Sequence, residues 1–291
     1  MRVLVTGGNG FIGKYLLSIL ERKNIDYITI GRSDCNHKKN HISINMLGNE
    51  SFTKIINEIN PTHLIHLAWY TEHGKFWNSP LNLEWIIATQ KILEAFYEAG
   101  GKHALIAGTC AEYDFKYGYL IEDITPTNPE SLYGISKDAT RRMSELIAKK
   151  YNLKLGWARI FYPYGVGEHS SRLIPALFNV FRNKLTAFGV KKSSYRDLLH
   201  VVDVATAIFE CSINKVTGNI NICSGKPIQL FELVNSIASI LGKDSKIILE
   251  KYPELTNAPE MIIGSNMKIR EIGWQQTICL EEGLKNYLEK K

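Results

Sequence analysis

Three side chains in the sequence have the chemistry and spacing to move a proton to or from a substrate oxygen. Tyr133 and Lys137 form a Tyr-x-x-x-Lys pair, which lies on one face of the chain if the segment is helical. An ammonium near a phenol favours the phenolate and lowers its pKa. Thr109 follows a strand-like run, which would place its hydroxyl at the carboxyl edge of a sheet. The Tyr–Lys spacing alone is equally typical of a surface helix, so its meaning depends on the fold.

A glycine-rich loop lies close to the beginning of the chain. Thr6-Gly7-Gly8-Asn9-Gly10-Phe11-Ile12-Gly13 follows a strand-like run and leads into a helix-like segment. Glycines at this spacing allow a tight turn and a close approach of the backbone to a pyrophosphate. The helix N-terminus then offers free N–H groups to the phosphates. We predict that a dinucleotide binds here, with contacts from Gly7, Asn9, Gly10, Phe11, Ile12 and Gly13.

The end of the second predicted strand indicates which dinucleotide binds. Enzymes that use NAD usually carry an acidic residue there, which binds the ribose 2′-hydroxyl. This chain instead has Gly31-Arg32-Ser33. The Arg32 guanidinium can bind a 2′-phosphate, with Ser33 as a second donor. A solvent-exposed arginine with no cofactor role could also occur at this position. The pattern nevertheless favours NADP(H), with NAD(H) possible.

Short β-branched runs alternate with longer amphipathic segments over the first two thirds of the chain. Strands are predicted at 2–6, 27–30, 63–67, 103–107 and 155–159. Helices are predicted at 12–23, 50–59, 83–99 and 133–151. This alternation predicts an α/β fold, a Rossmann-type doubly wound parallel sheet with helices on both faces.

The pattern changes after about Gly165. A helix is predicted at 173–182, a strand at 197–202, a helix at 204–212, a strand at 219–223 and a helix at 230–241. We predict a dinucleotide-binding domain formed by 1–165 with about 200–223. A smaller, interleaved substrate-binding portion would comprise 166–199 and 224–291.

Composition excludes several classes of protein. Of 291 residues, 45% are hydrophobic and 22% are charged, which argues against disorder, and no apolar run is long enough for a membrane span. The net charge of +6 is scattered, so it does not indicate nucleic-acid binding. Five cysteines without CxxC spacing and eight histidines without ligand spacing predict neither a disulfide framework nor a metal site. Because the chain begins Met1-Arg2 and passes directly into a strand-like run, we expect no signal peptide and a cytoplasmic protein.

With these motifs in place, the chain resembles the extended short-chain dehydrogenases/reductases, in the group of nucleotide-sugar epimerases, dehydratases and reductases. The resemblance covers essentially the whole chain. The matching segments are the glycine loop, the fourth-strand motif, the Asn that follows it at a helix start, the Ser/Thr-Tyr-Lys set, an Arg…Tyr-Gly segment, an Arg-Asp-x-x-His-Val-x-Asp motif and a Gly-Trp pair. In this chain they are 6–13, 66–68, Asn82, Thr109 with Tyr133 and Lys137, 159–165, 196–203 and 273–274.

The resemblance implies roles for further residues. Thr109, Tyr133 and Lys137 would be catalytic, and Lys137 would also hold the nicotinamide ribose. Asn45, Leu67 and Ala68 would contact the cofactor. Arg196 would contact the diphosphate of a nucleotide-sugar substrate, although an Arg–Asp structural pair is an alternative. Arg172 is a second candidate for a substrate contact, and Trp69 could line the sugar site or serve in packing. Relatives also pair two long helices in a homodimer, which we expect at 83–99 and 133–151.

Family members differ in the acids and bases around the shared redox core. Dehydratases follow the Thr with Asp-Glu, where this chain has Cys110 and Ala111. Relatives that epimerise carbons 3 and 5 carry a Cys two residues after the Ser/Thr and a His in the segment where this chain has Arg172. Arginine cannot exchange protons near neutrality. On a strand-like path, Cys110 would also point away from the site.

Two reactions remain. One is NADPH-dependent reduction of the 4-keto group of a nucleotide-linked 4-keto-6-deoxy sugar, for example dTDP-4-keto-6-deoxyglucose to dTDP-fucose. The other is NAD-dependent 4-epimerisation of a nucleotide sugar. Arg32 favours the first. A third possibility is a family member that binds nucleotides without catalysis, which the intact Thr109, Tyr133 and Lys137 argue against.

Overall fold

The computed structural model describes residues 1–32, 40–48, 51–250 and 258–288. The strands are β1 Arg2–Thr6, β2 Asp26–Gly31, β3 His41–Ser43, β4 His63–His66, β5 His103–Thr109, β6 Tyr119–Leu120, β7 Lys154–Ile160, β8 Pro163–Tyr164, β9 Tyr195–Asp197, β10 Leu199–His200, β11 Gly218–Ile222, β12 Pro227–Gln229 and β13 Met261–Gly264. The helices are α1 Phe11–Arg22, α2 Phe52–Ile59, α3 Leu81–Glu98, α4 Leu132–Lys150, α5 Leu173–Phe181, α6 Val201–Ile213, α7 Leu230–Ile240, α8 Lys246–Leu249, α9 Met267–Glu271 and α10 Leu280–Lys285. Short 3-10 turns lie at 76–78, 110–112 and 115–117.

A seven-stranded parallel sheet forms the centre of the fold. Its strand order is β11-β7-β5-β4-β1-β2-β3. The chain builds outward from β1 to β3, then crosses back to place β4 on the other side of β1. Ligands of open α/β sheets bind at such a reversal, beyond the carboxyl ends of the strands. The predicted α/β fold, a doubly wound parallel sheet, is confirmed.

Both faces of this sheet are covered by helices, as parallel strands require. Alternate residues of β1 illustrate the division, because Val3 and Val5 pack in one core while Leu4 packs in the other. Helices α1 and α6 cover the first face, and α2, α3 and α4 cover the second. The strands are therefore apolar on both sides and hold their carboxyl ends rigidly at one edge.

A smaller layer is interleaved with the large sheet in sequence, because β6 precedes β7 and β11 follows β10. It contains a four-stranded sheet of order β12-β9-β13-β6 and the short pair β10-β8. Helices α5, α7 and α10 share a core with it, whose fully buried members include Leu177, Leu233, Val234 and Leu284. Strand β8 and the loop after it lead directly from the large sheet into this layer.

One predicted strand is wrong. Residues 197–202 are not a continuous strand, because β9 ends at Asp197, β10 ends at His200 and α6 begins at Val201. The buried Asp197 carboxylate accepts hydrogen bonds from the backbone N–H groups of Ser224, Gly225 and Gly264, which fixes the end of β9. The valines after it are β-branched, but Val201 is fully buried in helical form, so packing overrides strand propensity.

No helix within the described part of the chain is both long and apolar enough to traverse a lipid bilayer. Two long helices nevertheless carry exposed apolar side chains. Leu83 and Ile87 of α3 are 52% and 58% exposed, and Met143 and Leu146 of α4 are 44% and 69% exposed. Each pair is separated by three or four residues, so each forms an apolar stripe on its helix.

Candidate active site

The glycine loop between β1 and α1 has the geometry of a phosphate site. Gly7 has a φ of +72°, and a Cβ atom there would lie 2.7 Å from the backbone nitrogen of Ala68. Only glycine therefore lets this loop lie against the segment after β4. Gly10 is the N-cap of α1, so the first N–H groups of the helix have no capping side chain. These features fit the diphosphate of a dinucleotide, and NAD(P) would be held here by the backbone of the loop.

The buried side chain of His66 connects the start of this loop to helix α3. Its Nδ1 lies 2.7 Å from the Thr6 hydroxyl, and its Nε2 lies 3.0 Å from the Thr89 hydroxyl. The Thr6 hydroxyl also accepts a hydrogen bond from the Ala68 N–H. Burial, with a smaller contribution from the Lys137 charge, lowers the pKa of His66 to about 3. His66 is therefore neutral and links β1, β4 and α3 beneath the glycine loop.

One cavity joins the glycine loop to the predicted catalytic residues. Many of the residues predicted from the sequence line this cavity: Gly7, Gly10, Phe11, Ile12, Gly13, Leu67, Ala68, Trp69, Thr109, Tyr133, Lys137 and Arg172. They come from the loops that follow β1 and β4, from α1, from the end of β5, from α4 and from the loop before α5, which are distant in sequence. The order of the strands in the sheet brings their carboxyl ends together.

Thr109 ends β5 and begins the 3-10 turn at 110–112. Its hydroxyl accepts a hydrogen bond from the Ala111 N–H, and its own N–H donates to Glu112 Oε1 at 2.8 Å. This reciprocal pair is a capping box. It fixes the backbone at the point where the Thr109 hydroxyl reaches the cavity.

Glu112 is buried behind Thr109 and does not line the cavity within the described structure. Its carboxylate accepts a hydrogen bond from Arg159 Nε at 2.8 Å and from the Trp157 indole N–H at 2.9 Å. The Glu112 carboxylate is therefore held in a salt bridge with Arg159 and does not serve as a free acid or base. A Thr-x-x-Glu sequence after a strand is a signal that could have indicated this.

Tyr133 lies in the first turn of α4, which begins because the Ser131 hydroxyl caps the Gly134 N–H. A Cβ atom at Gly134 would lie 2.4 Å from the Ala111 carbonyl oxygen, so glycine allows α4 to approach the turn that follows Thr109. Burial raises the pKa of the Tyr133 phenol, and a hydrogen bond with Thr109 partly opposes this. The direction is opposite to the sequence-based expectation. The phenol therefore keeps its proton at neutral pH, which is the form that can donate.

Lys137 lies one turn after Tyr133 and is 3% exposed. Its Nζ donates to the Ala107 carbonyl at 2.9 Å and lies 3.8 Å from the centroid of the Trp69 ring. Burial lowers the pKa of Lys137 to about 7, and the charge of Glu112 opposes this. The lysine therefore changes charge near neutral pH.

Four predicted contacts are not among the described residues that line the cavity: Asn9, Arg32, Asn45 and Arg196. Arg32 is exposed immediately after β2, and Asn45 is exposed in the loop after β3. Ser33 lies outside the described residues. These positions follow β2 and β3, on the side of the sheet where the adenosine half of a dinucleotide would extend from the glycine loop.

The two predicted substrate arginines have different surroundings. Arg172 is the N-cap of α5 and lines the cavity. Arg196 is 8% exposed, and its Nη1 donates to the carbonyls of Tyr195 and Pro259. Its guanidinium lies 5.9 Å from the ring of Tyr162, which does line the cavity. Arg196 thus adjoins the cavity through Tyr162, and the alternative of an Arg196–Asp197 pair does not occur.

Sequence reasoning missed an aromatic wall. Phe76 and Trp77, in the turn before α3, line the cavity and pack edge-on against Tyr133, with ring centroids 4.9 and 5.7 Å away. An aromatic pair in the loop after β4 was the available signal. Cys110 also lines the cavity, contrary to expectation, because the chain after Thr109 turns instead of continuing as a strand. Burial raises the pKa of its thiol to about 12, so Cys110 stays protonated.

A Rossmann-type sheet, a dinucleotide loop and a Thr-Tyr-Lys set around one cavity together define the class of dinucleotide-dependent short-chain dehydrogenases. The model of the NAD dependent epimerase/dehydratase family matches residues 3–223. The chain therefore belongs to this family, as the sequence motifs predicted.

Relatives and solved structures agree with this membership. The dTDP-4-dehydro-6-deoxyglucose reductase of Escherichia coli is 28% identical, over 97% of this chain and 95% of that protein. A UDP-glucose 4-epimerase of Halalkalibacterium halodurans is 26% identical, over 94% of this chain and 90% of that protein. The structure of Thermus thermophilus UDP-glucose 4-epimerase in complex with NAD superposes with a TM-score of 0.85 at 22% identity and covers all of both chains. The relatives are thus named as enzymes that act on nucleotide sugars.

Proposed function

We propose that this protein uses NADPH to reduce the 4-keto group of a nucleotide-linked 4-keto-6-deoxy sugar, for example dTDP-4-keto-6-deoxyglucose to dTDP-fucose. The observation that carries the proposal is the chemistry of the cavity. Among the described residues that line it, none is Asp, Glu or His. Dehydration and epimerisation at carbons 3 and 5 both need such an acid or base, whereas ketone reduction needs only a proton donor. The Escherichia coli relative is named for a reduction of this type.

The residues of the cavity divide the work of ketone reduction. The nicotinamide, when bound, supplies the hydride. Thr109 and Tyr133 hydrogen-bond the ketone oxygen, and the Tyr133 phenol donates its proton as negative charge develops there. Lys137 holds the ribose of the cofactor. We assign Arg196 to the substrate diphosphate, since a guanidinium fork suits that group, and Arg172 to a phosphate or the sugar of the substrate. We assign cofactor binding to 1–165 with about 200–223, and substrate binding to 166–199 and 224–291.

Arg32 is expected to set the preference for NADPH. Arg32 is exposed at the carboxyl end of β2, where Gly31-Arg32-Ser33 stands in place of an acidic residue, so it can pair with a 2′-phosphate. We expect Arg32→Ala to weaken NADPH binding about 10- to 100-fold and to change NADH binding little, since a hydrogen bond to a charged group contributes roughly 1.5–3 kcal/mol. Fluorescence titrations give the dissociation constants of NADPH and NADH. The control is Arg22→Ala, which removes an exposed arginine at the end of α1. Equal affinities of the wild-type protein for NADPH and NADH would contradict the assignment.

The second candidate function is 4-epimerisation of a nucleotide sugar with NAD. It is favoured by the Halalkalibacterium halodurans relative, and the same Thr-Tyr-Lys set would serve it. The two functions are separated by incubating the protein with NADPH and dTDP-4-keto-6-deoxyglucose, and in parallel with NAD and UDP-glucose. Oxidation of NADPH in the first mixture supports the reductase. Formation of UDP-galactose in the second supports the epimerase. Tight NADPH binding without turnover of any 4-keto sugar would support a non-catalytic role.

We also propose that the protein is a homodimer formed by α3 and α4. Their exposed apolar stripes would pair with the same helices of a second copy, as a two-fold interface requires. We expect a dimer at micromolar concentration by light scattering, and a monomer for the double variant Ile87→Glu with Leu146→Glu. Ile124→Glu is the control, because Ile124 is 73% exposed but lies on neither helix. A wild-type monomer at that concentration would refute this interface.

A further inference from the structure

The indole of Trp69 covers the ammonium of Lys137. Lys137 Nζ lies 3.8 Å from the centroid of the Trp69 ring and donates a hydrogen bond to the Ala107 carbonyl at 2.9 Å. A cation over an aromatic face is attracted to it, which favours the charged lysine. Burial of the same group favours the neutral lysine. The position of one ring therefore affects how much charge the catalytic lysine carries.

Trp69 is in turn held by Asn82, the second residue of α3. Asn82 is fully buried, and its Oδ1 accepts a hydrogen bond from the Trp69 indole N–H at 2.8 Å. Its Nδ2 donates to the Phe76 carbonyl at 2.7 Å and to the Ser79 carbonyl at 3.0 Å. All three bonds connect α3 to the loop that follows β4. Asn82 itself does not line the cavity within the described structure.

The turn that Asn82 holds also contacts the other catalytic residue. The ring of Phe76 meets the Tyr133 ring edge-on, at 86°, and Trp77 does the same at 87°. Edge-to-face aromatic packing is directional, so a shift of the turn would change the orientation of the phenol. The Asn82 amide thus holds Trp69 against Lys137 and holds the 76–78 turn against Tyr133.

We propose that Asn82 is a positioning residue, which holds Trp69 over the Lys137 ammonium and the 76–78 turn against Tyr133. The proposal depends on the proposed function only through the roles of those two side chains. It predicts that loss of the amide would misplace both Trp69 and the turn without removing any group that touches a ligand. A misplacement of about 1 Å at a reacting centre can reduce turnover about 100-fold.

The first test needs no substrate. Asn82→Ala should expose the Trp69 indole N–H, so its NMR signal should move and its hydrogen exchange should become faster. The chain has five tryptophans, and Trp69→Phe assigns the signal. In protein carrying 13C-labelled lysine, Lys137→Met assigns the Lys137 signal. Trp69→Leu should lower the measured pKa of Lys137 by about 0.5 to 1.5 relative to Trp69→Phe, which keeps an aromatic face.

Asn221 supplies a matched control. It is also fully buried, accepts a hydrogen bond from the Tyr113 hydroxyl, and donates to the carbonyls of Leu120 and Ser265. Asn221→Ala should lower thermal stability as much as Asn82→Ala, but should leave the Trp69 and Lys137 signals unchanged. The proposal is overturned if Asn82→Ala leaves both signals as in the wild type, or if Asn221→Ala moves them equally. If Asn82→Ala does not fold, the comparison of Trp69→Leu with Trp69→Phe decides, and equal pKa values in the two would overturn it.

Kinetics then separate this proposal from the proposed function. On the nucleotide sugar that the wild-type protein turns over, Asn82→Ala should reduce kcat about 10- to 100-fold and change KM less than about threefold. A loss that falls on KM alone would overturn the positioning role. If the wild-type protein reduces no 4-keto sugar, the proposed function fails, while the NMR measurements still test Asn82.

Discussion

Replacement of Tyr133 by Phe is expected to remove most ketone reduction while cofactor and nucleotide-sugar binding are retained. The phenol is the proposed proton donor, and burial keeps it protonated by raising its pKa. General acid catalysis contributes about 100- to 10,000-fold, so kcat should fall by that factor. The variant keeps the ring that packs against Phe76 and Trp77, so the shape of the cavity should persist. Steady-state oxidation of NADPH measures turnover, and calorimetry measures binding.

Two comparisons make this result specific. Tyr97→Phe also removes a buried tyrosine hydroxyl, but from α3 and outside the cavity, so its turnover should stay near that of the wild type. Thr109→Val should cost less than Tyr133→Phe, because it removes one oriented hydrogen bond and leaves the donor in place. Near-normal turnover of Tyr133→Phe would show that another group donates the proton.

Replacement of Lys137 by Met is expected to impair both turnover and cofactor binding, because one ammonium has two proposed roles. The pKa of Lys137 is lowered to about 7, so the side chain is charged below that pH and neutral above it. NADPH binding to the wild-type protein should therefore be strongest below pH 7 and should weaken as the pH rises. A hydrogen bond from a charged donor contributes roughly 1.5–3 kcal/mol, which corresponds to about 10- to 100-fold in Kd.

The variant should bind NADPH weakly and lose the part of the pH dependence that comes from Lys137. Fluorescence titrations of both proteins between pH 6 and about pH 9 give the two profiles, whose difference isolates this residue. Lys149→Met, an exposed lysine near the end of the same helix, should follow the wild-type profile. Parallel profiles for Lys137→Met and the wild type would mean that another group titrates.

The sequence predicted the fold because the information was local. The apolar runs at Val3–Val5 and Leu64–Ile65 could be buried on both faces only in a parallel sheet, and the alternating helices supplied the cover. The strand predicted at 197–202 was wrong because the information that ends it is not local. Its β-branched valines indicated a strand, whereas the bonds that end β9 come from residues 27 to 67 positions away in the chain.

The sequence by itself also determined which groups could do chemistry, since Thr109, Tyr133, Lys137 and the glycine loop each lie in a motif of fixed spacing. Only the tertiary structure decided their environment. It paired Glu112 with Arg159 and laid Trp69 over Lys137, and it shifted the pKa values of Tyr133 and Lys137 in directions set by burial. Spacing in the sequence fixes which side chains share a helix face. Burial and the contacts between distant segments depend on how all the elements pack. Burial and these contacts set the pKa of each group, and therefore its charge.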